Sequence, residues 1–131
     1  MTLALFATAC KKSKDAPAIT KDNLVGTYVV TAATMKVGSS SEADMLGSLD
    51  DCQKDDQYKL NADDTYNIID AGVQCSPTGE YTDNWSLSGN QITIDGEVGT
   101  VTKFDGTNLE VTNEYSDSGM TFTLKTTYKK Q

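Results

Sequence analysis

Hydrophobic and polar residues alternate on both sides of a short turn in the middle of the chain. Trp85 and Leu87 are separated by serines, Gly89-Asn90 follows, and Ile92 and Ile94 then alternate with polar residues. A period of two residues is typical of a strand with one face buried and the other in water. The segment is therefore predicted to form two antiparallel strands joined by a tight turn.

The same pattern recurs along the chain and predicts eight strands in all. Asp95-Gly96 and Asp105-Gly106 are further turn signals, because Asp-Gly supplies the positive φ that two-residue hairpin turns need. The strands are headed by Tyr28, Tyr58, Tyr66, Tyr81, Ile92, Val98, Leu109 and Met120.

Strands joined by such short connections lie side by side and run antiparallel, because no connection has room for a crossover helix. Eight of them can close into an up-and-down barrel, which removes both exposed edges. We favour this all-β barrel over a two-sheet sandwich, since Greek-key sandwiches need longer crossing connections. In one strand Val98, Val101 and Phe104 are spaced by three, and a bulge near Thr102-Lys103 would restore the alternation.

The loop after the first strand departs from the strand pattern between residues 38 and 51. Ser41 with Asp44 resembles a capping box, and Met45 and Leu49 would fall on one helical face. These features predict a short helix or lid across one end of the sheet. A mobile loop is the alternative, because Gly47 lowers the helix propensity.

The charge and the missing residue types narrow the function classes. The 131 residues suggest one domain, with a formal net charge of −8 and a pI of about 4.3. Nucleic-acid binding needs a basic face, so we expect no nucleic-acid partner. The chain has no His and no Arg, which excludes histidine triads, histidine metal sites and guanidinium clamps. We predict that the protein is not an enzyme.

Pairs of aspartates invite a calcium interpretation. Asp50-Asp51, Asp55-Asp56 and Asp63-Asp64 lie in turn-rich segments, but no Asp-x-Asp-x-Asp-Gly loop is present. Solvated turns explain the pairs better. We therefore predict no metal and no cofactor.

The N-terminus looks like an export signal. Residues 1–10 are short, apolar and end in Ala9-Cys10, which resembles the site where a bacterial signal is cut and the new N-terminal cysteine is lipidated. Residues 11–23 are polar and are interpreted as a flexible tether. Within it, Thr20 to Asn23 could form one helical turn. No later stretch is long enough to span a bilayer.

The two other cysteines are predicted to pair. Cys52 and Cys75 remain after Cys10 is assigned to lipidation, and disulfides persist in an exported chain. Two thiolates without a histidine or a second cysteine pair do not make a zinc site. The bridge would tie the loop after the first strand to the connection before Tyr81.

Several motifs resemble the lipocalin-like domain of small lipoproteins from Gram-negative bacteria. Gly26-Thr27-Tyr28 is similar to the Gly-x-Trp signature that opens lipocalins, with Tyr in place of Trp. Further similarity lies in Cys52 to Leu60, in Trp85-Ser-Leu-Ser-Gly-Asn and in Thr127-Tyr128-Lys129. The resemblance covers residues 24–131 and implies an eight-stranded barrel with a helix or lid near one mouth. The Arg that often supports the Trp of true lipocalins has no equivalent here.

The aromatic residues are the candidate ligand-binding residues of the barrel lumen. Most of the candidates share the inward parity of their strands. They are Tyr28, Tyr58, Tyr66, Tyr81, Trp85, Phe104, Phe122 and Tyr128. An eight-stranded barrel is either filled by such side chains or holds one small ligand, and the sequence leaves both open. Trp85, the single Trp, would report on occupancy if it faces the lumen.

These features predict a lipid-anchored lipocalin-like envelope protein that binds a small apolar or amphipathic molecule in the barrel mouth. We expect a monomer, held by lipidated Cys10 to the periplasmic face of the outer membrane or to the cell surface. The alternative is a filled barrel whose loops bind another protein. An apolar cavity of a few hundred Å³ would favour the ligand hypothesis.

Overall fold

The computed structural model describes residues 17–131, and within them nine strands form one antiparallel sheet. Strands that follow one another in the chain are neighbours in the sheet, except that β3 pairs with β1, as the two-residue strand β2 does. The strands are β1 Gly26–Val37, β2 Ala43–Asp44, β3 Gln57–Leu60, β4 Thr65–Ile69, β5 Tyr81–Ser88, β6 Gln91–Ile94, β7 Glu97–Phe104, β8 Asn108–Asp117 and β9 Met120–Lys130.

Pairing between β1 and β9 closes eight of these strands into a barrel. The two strands pair from Tyr28 opposite Lys130 to Val37 opposite Phe122. Each strand of the ring then has a hydrogen-bonded neighbour on both sides, which removes the exposed edges of an open sheet. The predicted all-β up-and-down barrel is confirmed, and the sandwich alternative is wrong.

Local turn and bulge chemistry follows the predictions. Asp95 and Gly96 both adopt positive φ, at 54° and 74°, in the two-residue turn between β6 and β7. The register of β7 against β8 shifts between Val101 and Lys103, which confirms the predicted bulge. The extra residue explains why the buried Val101 and Phe104 are spaced by three, whereas Val98 lies on the exposed face of β7.

A short helix follows β1, but it lies further along the chain than the sequence predicts. Ala43–Asp44 forms β2, and a 3₁₀ turn covers Leu46–Ser48. The helix α2 spans Asp51–Lys54. Its capping residue is Asp50 rather than Ser41, and the Gln53 side-chain oxygen accepts from the Asp50 N–H at 3.0 Å.

A disulfide joins α2 to the connection between β4 and β5. Cys52 and Cys75 are bonded, with Cα atoms 5.1 Å apart, which confirms the predicted pairing. Since α2 precedes β3 and the connection follows β4, the bridge ties two loops at the same end of these antiparallel strands.

The segment before β1 packs against the opposite end of the barrel. Helix α1 spans Lys21–Leu24 and is the one helical turn that the sequence predicts in this segment. The Thr20 side chain accepts from the Asn23 N–H at 3.3 Å. Ile19 packs on the core, and Lys21 pairs with Asp64. The predicted tether of residues 11–23 therefore includes a part that lies on the barrel, while Cys10 lies outside the described residues. No helix within residues 17–131 is long and apolar enough to cross a membrane.

Candidate functional site

One half of the barrel interior is filled by side chains. Leu24, Tyr28, Ile92 and Val101 are its largest fully buried residues. The Tyr28 hydroxyl donates to the Leu24 carbonyl over 2.7 Å, and burial raises the pKa of Tyr28 to about 12. The space left among the surrounding side chains is about 20 Å³, enough for about one water. Helix α1 thus closes this end, which we call the closed end.

The other half of the interior contains an open cavity of about 300 Å³. We call it the mouth cavity. Apolar and aromatic side chains make up most of its wall, with a few polar groups among them, as is typical of small-molecule sites. It is lined by Tyr66, Ile68, Tyr81, Ile92, Ile94, Asp95, Glu97, Gly99, Val111, Asn113, Tyr115, Leu124, Thr126 and Tyr128.

A layer of three tyrosines separates the mouth cavity from the closed end. The Tyr58 ring lies 6.5 Å from the Tyr66 ring in a stacked arrangement and 5.6 Å from the Tyr128 ring edge to face. Tyr66 and Tyr128 line the small closed-end space as well as the mouth cavity. Burial raises the pKa of all three hydroxyls, so they are uncharged at neutral pH. The floor of the mouth cavity is therefore aromatic and neutral.

Carboxylates and tyrosines form the polar part of the mouth. The Tyr81 hydroxyl donates to Asp83 Oδ2 over 2.8 Å, and the Tyr115 hydroxyl donates to Glu97 Oε2 over 3.4 Å. Asp95 lies in the β6–β7 turn beside this pair of contacts. We call Asp83, Asp95 and Glu97 the acidic rim. Among residues 17–131, no lysine lines the mouth cavity.

Two members of the acidic rim interact directly. Hydrogen bonding to Asp95 lowers the pKa of Asp83, and hydrogen bonding to Asp83 raises the pKa of Asp95. Of these two carboxyls, Asp95 therefore loses its proton at the higher pH. Hydrogen bonds to the same two carboxylates raise the pKa of Tyr81, which remains a donor at neutral pH.

The structure divides the eight predicted lumen residues into two groups. Five of them line the interior spaces: Tyr28, Tyr58, Tyr66, Tyr81 and Tyr128. Trp85 and Phe104 are buried in the core and line neither space, while Phe122 is half-buried opposite Tyr115. Ligand contact by the five tyrosines stays a prediction.

Trp85 belongs to the closed end rather than to the mouth. It is 2% exposed, and its indole N–H donates to the Asn61 carbonyl over 2.9 Å. Its inward parity is the expected one, but the strand carries it to the end that α1 closes. Trp85 therefore lines neither the mouth cavity nor the small space at the closed end, and Trp85→Phe should leave ligand affinity unchanged.

Several lining residues are not among the predicted lumen residues, and all of these except Tyr115 are not aromatic. Leu124 and Thr126 share the alternating face of β9 with Tyr128, so the parity of that strand already contained the signal. Tyr115 lies on the same face of the sheet, opposite Phe122. Asp95 resembles an ordinary turn residue in the sequence, but the register of the β5–β6 hairpin brings it beside Asp83.

A further group of carboxylates lies in the disulfide-linked loops. Asp70 is 4% exposed and accepts hydrogen bonds from the Cys75 N–H at 3.0 Å and the Thr78 hydroxyl at 3.0 Å. Asp56 is 6% exposed, and its Oδ1 has no hydrogen-bond partner. Desolvation raises the pKa of Asp56, and the neighbouring Asp70 and Asp55 raise it further. Within residues 17–131, no three acidic or cysteine side chains are placed to hold a metal ion.

Asp56→Asn is expected to raise the melting temperature at pH 7. The pKa of Asp56 is higher in the folded chain, so the ionised carboxylate opposes folding above that value. The contribution of Asp56 to stability is complete below its unfolded pKa of about 3.8 and is lost as the pH rises through the folded value. The gain from Asn should therefore shrink toward zero below about pH 4. Thermal melts of both proteins from pH 3 to 8 measure this gain. A variant that is less stable than the wild type at pH 7 would contradict the prediction.

Comparison with known protein families identifies the family of this chain. Residues 24–127 match the family model described as a lipocalin-like domain. A search of curated proteins finds no match. The matched range begins at the last residue of α1 and ends within β9, so it covers the barrel apart from the last three residues of β9.

Proposed function

The chain belongs to the lipocalin-like domain family, and from that premise we propose that its barrel binds a small apolar or amphipathic molecule through the open end. The mouth cavity carries the proposal, because its volume of about 300 Å³ falls at the lower end of the range of small-molecule sites. The rival hypothesis, a filled barrel acting as a protein-interaction module, needs a packed lumen. The family is in general a binding fold rather than a catalytic one.

The apolar wall supplies the driving force for such binding. Leu124 and Ile94 line the mouth cavity above the tyrosine layer, and both are half-buried. A ligand chain that covers them removes apolar surface from water, which contributes about 25 cal/mol per Å² buried. The neutral tyrosine hydroxyls of the floor leave no charge to desolvate beneath that chain. The cavity is suited to a short alkyl or ring system with its polar end toward the solvent.

Thr126→Phe is expected to weaken ligand binding strongly. Thr126 lines the mouth cavity from β9, so a phenyl group there occupies the volume that a ligand would fill. We expect affinity for octanol to fall at least about tenfold, which corresponds to about 1.4 kcal/mol. Isothermal titration calorimetry of both proteins, with cavity occupancy checked by methyl NMR, measures the change.

Thr123→Phe is the matched control for this experiment. Thr123 lies on the same strand with the opposite parity, between Phe122 and Leu124, and lines no part of the mouth cavity. The control should bind octanol as the wild type does. Equal loss of binding in both variants, or normal binding by Thr126→Phe, would contradict the placement of the ligand.

The remaining part of the proposal concerns the anchor and the location. We place the protein at the outer membrane, on its periplasmic face or at the cell surface, held as a monomer by lipidated Cys10. The small residues before Cys10 and the lysine-rich segment after it support this, and the Cys52–Cys75 bridge suits an oxidising compartment.

Cys10→Ala is expected to release the protein from membranes. Without the thiol no lipid can be attached, and the rest of the chain is acidic, with a formal net charge of −8 that disfavours anionic lipid surfaces. Cells that express each form are fractionated and immunoblotted. The variant should be found in the soluble periplasmic fraction. A variant that stays with membranes would show that another anchor holds the protein.

A further inference from the structure

We propose that the mouth cavity selects cationic amphiphiles, with an alkyl chain inside and an ammonium group at the acidic rim. This inference rests on the proposed ligand binding and adds the charge of the ligand. The site is the cavity itself, with its apolar wall and aromatic floor. The acidic rim decides which polar end the cavity accepts.

The first argument is the sign of the charge at the mouth. Asp95 and Glu97 line the cavity, and Asp83 is linked to its Tyr81 wall by a 2.8 Å hydrogen bond. Their own polar contacts are hydroxyl, backbone and carboxyl groups rather than cations: Tyr81, the Asn84 N–H and Asp95 for Asp83, and Tyr115 for Glu97. A carboxylate ligand would therefore be repelled, whereas an ammonium ion would be attracted.

No lysine of the described chain lines the mouth cavity, and three of these lysines form salt bridges elsewhere. The salt bridges within residues 17–131 join Lys21 to Asp64, Lys54 to Asp51 and Lys125 to Glu42. None of these lysines lines the mouth cavity. An incoming cation would then supply a charge that the folded chain does not provide at this place.

The tyrosines at the mouth add a second preference for cations. Tyr81 and Tyr115 are 42% and 39% exposed, although large aromatic side chains are usually more deeply covered. Both line the cavity and both donate to a carboxylate of the acidic rim, so their rings are held at the entrance. Aromatic faces attract alkylammonium groups, and carboxylates beside them strengthen that attraction.

Three ligands with the same octyl chain test the proposal by calorimetry at pH 7 and low salt. We expect octylammonium to bind at least about tenfold more tightly than octanoate, with octanol between them. The combined variant Asp83→Asn/Asp95→Asn/Glu97→Gln should lose the preference, so that its affinities for octylammonium and octanoate differ by a factor of about one. Raising the salt concentration should weaken octylammonium binding and leave octanol unaffected.

A charge-matched control separates the acidic rim from the general negative charge of the chain. Asp22, Asp51 and Glu114 are exposed and do not line the mouth cavity. The variant Asp22→Asn/Asp51→Asn/Glu114→Gln therefore removes the same number of carboxylates and should keep the full preference. Circular dichroism and melting curves of both variants establish that they fold.

The outcomes distinguish this inference from the function on which it rests. If octanol binds in the cavity but octanoate binds as tightly as octylammonium, the cationic preference is wrong and ligand binding stands. If the preference survives in the acidic-rim variant, or disappears equally in the charge-matched control, the rim does not cause it. If none of the three ligands binds, both proposals fail.

Discussion

Trp85→Ala is expected to lower the free energy of unfolding by about 3–5 kcal/mol, the usual cost of removing a buried aromatic side chain. Trp85 is 2% exposed and packs in the core of the closed end. The truncation leaves a cavity and removes the indole N–H that pairs with the Asn61 carbonyl. Urea unfolding followed by circular dichroism measures the loss.

Two further substitutions are compared with Trp85→Ala for their effect on stability. Trp85→Phe keeps a ring in place and loses mainly the hydrogen bond, so it should cost about 1–3 kcal/mol. Val98→Ala removes a side chain that is 56% exposed and should change stability by less than about 0.5 kcal/mol. A Trp85→Ala variant as stable as Val98→Ala would contradict the packing of the closed end.

Loss of the Cys52–Cys75 bridge is expected to cost about 3 kcal/mol. The bridged residues are separated by 23 positions, and the loop-entropy model gives this value for a loop of that length. The bridge also holds Cys75, whose N–H donates to the buried Asp70 carboxylate. Chemical unfolding of Cys52→Ser/Cys75→Ser against the oxidised wild type measures the difference.

Reduction of the wild type provides the control for the double variant. A reducing agent should lower the stability of the wild type to about that of the variant and leave the variant unchanged. Equal stability of the oxidised wild type and the variant would show that the bridge constrains little. A larger loss in the variant than in the reduced protein would instead point to damage from the serines themselves.

The order of the strands could be predicted because each strand carries its own local signal. Alternation along Phe122 to Tyr128 marks β9, and Asp95-Gly96 marks a tight turn. The helix after β1 was predicted too early, because Ser41 and Asp44 resemble a capping box as well as Asp50 and Gln53 do. Local propensity alone does not choose between two capping signals in the same loop.

The candidate site was harder to predict than the fold, because it depends on depth along the barrel. Parity places both Trp85 and Tyr81 on the inner face, but parity does not say which end of the barrel is closed. The packing of Leu24 from α1 decides this, and it places Trp85 in the core. The sequence predicts the β5–β6 hairpin but not its role in the site, where pairing of Trp85 with Ile94 brings Asp83 close to Asp95.

Native mass spectrometry of the protein purified from its own envelope tests the central claim most directly. We predict that the wild type retains one small molecule in addition to any covalent lipid, and that the molecule is released under denaturing conditions. Thr126→Phe should lose this adduct, and Thr123→Phe should keep it. A wild-type protein that carries no such molecule, or an adduct retained equally by Thr126→Phe, would contradict ligand binding in the mouth cavity.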